Sequence, residues 1–150
     1  MTANQTDTSP LGRLVVLEHS GVWAATLRRL GVSEGSGLRE TRSVGESNAE
    51  LALAPASLLV VEVTPTSALA ICEQIFTWES RFPCARAVVV MAPDLRRWEP
   101  LVREAGAVHV VDSPRRLSEI VGLAARHWRA YPQRVDGPRE RVWASLPWSQ

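Results

Sequence analysis

Four short aliphatic runs limit most strongly how this chain can fold. They span residues 14–17, 58–61, 87–91 and 108–111, and apart from His109 every residue of these runs is apolar. Strands that are covered on both faces of a parallel sheet have this character, because neither face meets water. A weaker, alternating segment from Leu38 to Val44 predicts a fifth strand at an edge of the sheet.

The residues between these runs repeat with the period of a helix. Gly31 is expected to end the first helix, and Asp94 is expected to cap the fourth. Alternating strands and helices with short connections predict an α/β fold, in which a five-stranded parallel sheet carries helices on both faces. The apolar positions predict helices over residues 22–30, 46–53, 68–78, 95–105 and 117–128.

Length and composition predict one domain. The chain has 150 residues, 45% of them apolar, which suffices for a single hydrophobic core. We expect a flexible N-terminus over residues 1–12, the folded domain over 13–131, and a C-terminal tail over 132–150 that contains Trp143 and Trp148. The two cysteines match no metal or redox motif, so a reducing cytoplasm is the expected location.

The charged and apolar residues exclude several functions. All 17 basic residues are arginine, so no chemistry that needs a lysine can operate. A net charge of +1 makes nucleic acid an unlikely partner, and no apolar stretch approaches the roughly 20 residues that span a membrane. His109, Asp112 and Ser113 lie on one strand and its exit, where extended backbone spreads them too far apart for a catalytic triad.

Polar residues follow the predicted strands, at the edge of the sheet where ligands bind in such folds. Glu18 and His19 follow the first strand and Glu62 follows the third, while Ala92 follows the fourth and Ser113 comes after the fifth. With Gly106-Ala107 before the last strand, Pro114 after it and Pro65 after Glu62, the layout resembles the receiver domains of two-component response regulators. The resemblance implies the strand order 2-1-3-4-5.

The departures from this family indicate a degenerate receiver. Family members hold Mg²⁺ with an acidic pair, phosphorylate an aspartate, and use a Ser or Thr and a Lys beside it. At those positions this chain has Glu18-His19, Glu62, Ala92 and Ser113. We therefore expect no phosphorylation, no enzymatic activity, no metal and no cofactor. Glu62 either fixes an active surface near the phosphoryl position or is a solvated relic, and Glu18, His19 and Glu62 could alternatively bind a small ligand or a divalent ion.

A second candidate site is a surface rich in arginine. By the resemblance, the fourth helix, fifth strand and fifth helix form the face that receivers use for dimerisation or partner binding. We expect a protein partner or a second copy on this face, or else a solvated surface of mixed charge. The tail would either fold back on its own domain or dock on a partner. The arginines concerned are Arg96, Arg97, Arg103, Arg115, Arg116 and Arg126.

Overall fold

The computed structural model describes residues 12–32 and 37–131. Within these ranges five parallel strands form one sheet in the order β2-β1-β3-β4-β5, which confirms the predicted α/β class and strand order. The register is regular, with Leu14 opposite Leu38 and Leu58, and Val88 opposite His109. The strands are β1 Leu14–Leu17, β2 Leu38–Thr41, β3 Leu58–Val63, β4 Arg86–Met91 and β5 His109–Val111.

Five α-helices of the described residues cover both faces of the sheet. Apolar residues of α1 and α5 pack against one face, and those of α2, α3 and α4 against the other. Two 3-10 helices, Pro93–Trp98 and Pro114–Arg116, follow β4 and β5. The α-helices are α1 Val22–Arg29, α2 Val44–Leu53, α3 Ala68–Arg81, α4 Glu99–Glu104 and α5 Ser118–Ala130.

The predicted continuous strands form the centre of the core. Val15, Val60, Val88 and Val90 have no exposed surface, as expected for strands between two layers of helices. Trp78 joins two of the covering helices, because its Nε1 donates a hydrogen bond of 2.7 Å to Asn48 Oδ1 on α2. The core therefore fixes the sheet and holds the loops at its carboxyl edge in place.

The edge strand is shorter than the sequence predicts. β2 ends at Thr41, and Val44, expected in the strand, begins α2 two residues before the predicted helix start at Glu46. Ser43 is the N-cap of this helix, and its side chain accepts a hydrogen bond from the backbone N–H of Glu46. The capping interaction ends the strand, and it overrides the alternating pattern.

The expectation that Asp94 caps the fourth helix is wrong. Residues 93–98 form a 3-10 helix that starts at Pro93, and α-helical hydrogen bonding begins only at Glu99. Pro100 explains this, since a proline has no N–H to donate to the carbonyl of Arg96 and its ring clashes with the preceding turn of an α-helix. Proline is tolerated only in the first turn, which is its position in α4.

Two sequence predictions lie outside the described residues. They concern the flexible N-terminus, except for Gly12, and the tryptophan tail with Trp143 and Trp148. Across the described ranges, no helix combines the length and the apolar character needed to cross a membrane.

Candidate functional site

A cleft opens at the carboxyl edge of the sheet, above the ends of β3, β4 and β5. Its volume is about 390 Å³, and most of the residues around it are apolar. Glu62, Thr64 and Asp112 are the polar exceptions in its wall. The apolar lining residues are Trp23, Val63, Pro65, Met91, Ala92, Pro93, Leu95 and Pro114.

The apolar lining has a buried floor and an exposed rim. Trp23, Val63, Met91 and Leu95 are buried and form the floor. The rim residues Pro65, Ala92, Pro93 and Pro114 are all exposed. Because an apolar rim around an apolar floor favours contact with an apolar group, the cleft is a candidate binding site.

Glu18 does not face this cleft as an open carboxylate. It is 1% exposed, and its Oε1 accepts the backbone N–H of Ala24 at 2.7 Å, while Oε2 accepts that of Trp23 at 3.0 Å. These are unpaired amides in the first turn of α1, whose N-cap Gly21 has a left-handed backbone and no side chain to offer. Glu18 thus caps α1 from a distance, and its charge is stabilised by the positive end of the helix.

Glu62 meets the loop after β1 through the backbone. Its Oε2 accepts the N–H of His19 at 2.8 Å, and the rest of its half-buried carboxylate lies in the wall of the cleft. The His19 side chain is exposed. The structure therefore joins the predicted residues Glu62 and His19 by one hydrogen bond, and it gives Glu18 a separate structural role.

Sequence reasoning missed the charged residues that close the other side of this loop. Arg42, directly after β2, donates from Nη1 to the backbone carbonyl of Glu18 at 3.1 Å and forms an ion pair with Glu40. Glu40 also pairs with Arg28 of α1 at 3.0 Å. The alternation of Glu40 and Arg42 on one predicted edge strand was the available signal, although nothing in the sequence identified their partners.

The remaining two predicted positions carry no charged side chain. Ala92 follows β4 with an exposed methyl group, and the Ser113 hydroxyl accepts the N–H of Arg115 at 3.3 Å as the cap of the second 3-10 helix. Asp112, which was considered from the sequence only as part of the rejected triad, is ion-paired on both oxygens, with Arg96 at 3.0 Å and Arg116 at 3.1 Å. This bridge ties the segment after β4 to the end of β5.

Three of the six arginines on the arginine-rich surface form ion pairs with carboxylates. Arg96, Arg103 and Arg116 form ion pairs. Within residues 12–32 and 37–131, by contrast, Arg97, Arg115 and Arg126 are exposed and have no carboxylate within ion-pair distance. The surface thus combines internally compensated charge with guanidinium groups that remain available to a partner.

Glu119 connects this surface to β5. Arg116 Nε lies 2.9 Å from Glu119 Oε1, and His109 Nε2 lies 2.6 Å from Oε2. Hydrogen bonds from Arg116 and then from His109 lower the pKa of Glu119 below its ordinary value. His109 therefore acts as a partner of Glu119, and Asp112 is engaged with arginines, so the geometry agrees with the rejection of a triad.

The described part of the chain contains no group of three or more His, Cys, Asp or Glu residues arranged to hold a metal ion. At the carboxyl edge, hydrogen bonds to backbone amides occupy both oxygens of Glu18. The chemistry that the edge offers is therefore an apolar cleft with one partly engaged carboxylate, that of Glu62.

The solved structures that share this fold include one that is described as CheY-like. A CheY-like protein, tadZ, from Pseudomonas aeruginosa superposes with a TM-score of 0.65 at 19% identity, over 77% of this chain and 98% of that one. A protein from Burkholderia pseudomallei described as related to pilus assembly gives 0.58 at 17% identity, over 80% and 92%. A protein from Burkholderia thailandensis described as a pilus assembly protein, cpaE, gives 0.54 at 22% identity, over 77% and 98%.

No protein-family model and no curated protein matches the chain. At these identities the solved structures show the fold, and the resemblance to receiver domains expected from the sequence is confirmed at that level. The chain carries a domain with the CheY-like receiver fold.

Proposed function

We propose that this chain is a receiver-like regulatory module that acts by binding a protein, without catalysis and without aspartyl phosphorylation. One observation carries the proposal. The carboxylate of Glu18, the acid at the family's metal-binding position, is buried and accepts hydrogen bonds from the N–H groups of Trp23 and Ala24 and from the Ser20 hydroxyl. A carboxylate held by the first turn of α1 in this way serves the helix, which supports a role other than ion binding.

The chemistry of phosphoryl transfer supports the same conclusion. Mg²⁺ requires several hard oxygen ligands in near-octahedral geometry, and the neighbour of Glu18 is the imidazole of His19. Ala92 has no hydroxyl for a phosphoryl oxygen, and the chain has no lysine to compensate its charge. Arg96 and Arg116, which lie near the end of β5, are both bound to Asp112. Phosphoryl chemistry would need all of these groups at once.

With that chemistry lost, the module must signal through its surface. The segment from Pro93 to α4, together with β5 and the following helix α5, forms what we call the arginine face, defined by the six arginines predicted from the sequence. Leu101 of α4 and Val108, directly before β5, are 36% and 44% exposed and add apolar surface to these elements. Apolar contact combined with arginine donors suits a protein partner that carries carboxylates, or a second copy of the chain.

The structural neighbours suggest where to look for that partner. Two of them are described as proteins of pilus assembly. Components of such an assembly are therefore the first partners to test, and a cytoplasmic location is part of the proposal.

The experiment compares charge reversals on and off the arginine face. Arg97→Glu with Arg115→Glu should weaken complex formation at least tenfold, measured as dimerisation by sedimentation equilibrium or as affinity for a purified assembly component. Arg29→Glu is the matched control, because Arg29 is exposed on α1 and lies outside the arginine face. Equal binding by the wild type and the double variant would contradict the proposal, as would an equal loss in the control.

A further inference from the structure

We infer that the cleft at the ends of β3, β4 and β5 is the docking site of residues 141–148 of the same chain, with the Trp143 indole in the cleft and Arg141 at Glu62. This segment lies outside the described residues. The inference goes beyond the proposed function, since it concerns a different surface from the arginine face.

The cleft has room for a large apolar side chain. Its volume of about 390 Å³ lies within the roughly 300–1,000 Å³ of ligand pockets, and its buried floor of Trp23, Val63, Met91 and Leu95 favours an apolar occupant. Three prolines, Pro65, Pro93 and Pro114, stand on its rim. Because proline fixes its own φ, this rim is restrained before anything binds.

The Glu62 carboxylate in the wall of the cleft favours an occupant with a positive charge. Glu62 Oε2 takes the N–H of His19, and no other hydrogen bond or ion pair to the Glu62 side chain is found among the described residues. The second carboxylate, that of Asp112, is already neutralised by Arg96 and Arg116. The lining contains no basic residue. An occupant that combines a bulky apolar group with one positive charge therefore complements the site.

Residues 141–143 have this chemistry at a suitable spacing. They read Arg-Val-Trp, and in extended backbone residues i and i+2 point to the same side, about 7 Å apart at roughly 3.3 Å per residue. Arg141 and Trp143 can thus face the cleft together. Trp148 follows Pro147 and has no basic residue at that spacing.

The chain is long enough to place the segment there. α5 ends at Ala130, and its last turn lies at the edge of the sheet opposite the cleft, because His127 contacts the Ala56 carbonyl and Trp128 lies beside Gly12, just before β3 and β1. β3 has six residues, so the two edges are about 20 Å apart at roughly 3.3 Å per residue. The twelve steps from Tyr131 to Trp143 span up to about 40 Å when extended, which leaves slack for the path around the domain.

Methionine labelling gives a direct test. The chain has two methionines, Met1 and Met91, and Met91 has no exposed surface and lines the cleft. With ¹³C-methyl methionine in the full chain, Trp143→Ala should move the Met91 methyl signal, because an indole ring leaves its neighbourhood. Trp148→Ala is the matched control and should leave that signal in place.

Three further measurements complete the test. Trp143→Phe should retain most of the wild-type shift, and a synthetic peptide with the sequence of residues 141–148, added to the Trp143→Ala variant, should restore it. Arg141→Glu should move the signal toward that of Trp143→Ala. A Met91 signal that is unchanged by Trp143→Ala, or that moves equally with Trp148→Ala, would overturn the inference. So would a signal that reverts on dilution, since docking would then come from a second copy.

Discussion

The carboxylate of Glu18 accepts hydrogen bonds from the backbone N–H groups of Ala24 and Trp23, at 2.7 and 3.0 Å. In the resemblance that the sequence suggested, this acid stands where receivers hold Mg²⁺. Here the same side chain completes the first turn of α1, whose own N-cap, Gly21, has no side chain. Glu18 therefore has a helix-capping role, and this role can be measured as stability.

Replacing Glu18 by glutamine should lower the free energy of unfolding by about 1–3 kcal/mol, since a buried charged acceptor of two amides becomes neutral and loses one of its acceptor oxygens. Urea denaturation followed by circular dichroism measures the change. Glu73→Gln is the control, because Glu73 is exposed on α3, and it should change stability by less than about 0.5 kcal/mol. If the two variants were equally stable, the capping role would be wrong.

Gly12 should not tolerate a side chain. A Cβ at this position would lie 2.4 Å from the carbonyl oxygen of Ala56 and 3.0 Å from the Trp128 indole. Gly12→Ala should therefore destabilise the domain by about 1–3 kcal/mol, the usual cost of overpacking.

Gly122 provides the opposite case, since it is exposed on α5 and a Cβ there meets nothing within 4 Å. Gly122→Ala should stabilise the domain by about 0.5–1 kcal/mol, because alanine favours the helix. Thermal melting of both variants tests the pair, and shifts of the same sign would contradict the packing at Gly12.

Stability should fall as the pH drops below about 6.5 because of His127. Burial, followed by the nearby charge of Arg86, lowers the pKa of His127 from its ordinary value of 6.5, although a hydrogen bond to the Ala56 carbonyl opposes this. The unfolded chain therefore takes up this proton at a higher pH than the folded chain does, and acid favours unfolding in the window below 6.5.

The His127→Gln variant, which can still donate a hydrogen bond to Ala56, should lose this slope. Urea midpoints measured between about pH 7 and about pH 5 test the prediction, because carboxylates contribute mainly below that window. An identical slope in the wild type and the variant would show that His127 is not the responsible group.

The central sheet could be predicted because burial on both faces leaves a direct mark on the sequence. The runs at Leu14–Leu17 and Leu58–Val63 are apolar at nearly every position. A short element has this composition when both of its faces are buried, as in a parallel sheet between helices. The residues at which strands and helices begin and end were harder to predict. Ser43 and Glu46 form a capping signature that reads directly from the sequence, yet the alternating pattern around Leu38 favoured a longer strand.

The position of the candidate site in the fold was predicted from the sequence, but the contacts of its side chains were only partly predicted. Glu62 and Ala92 were predicted as site residues because ligands bind at the carboxyl ends of parallel strands. Both residues line the cleft. The capping role of Glu18 depends on the exact turn that brings the N–H groups of α1 over its carboxylate, and sequence spacing does not encode that geometry. The bridge of Asp112 to Arg96 likewise joins two loops whose contact depends on the 3-10 helix before α4.

The most direct test of the central claim is a titration of the ¹⁵N-labelled full chain with beryllofluoride in the presence of Mg²⁺, followed by two-dimensional NMR. Beryllofluoride with Mg²⁺ reproduces the charge and geometry of a phosphorylated carboxylate, so it reports directly on whether the edge of the sheet still holds that group. We predict that the amide signals of Glu62, Ala92 and Ser113 keep their positions at saturating concentrations of both ions. A saturable, Mg²⁺-dependent movement of these signals would contradict a module that works without phosphorylation.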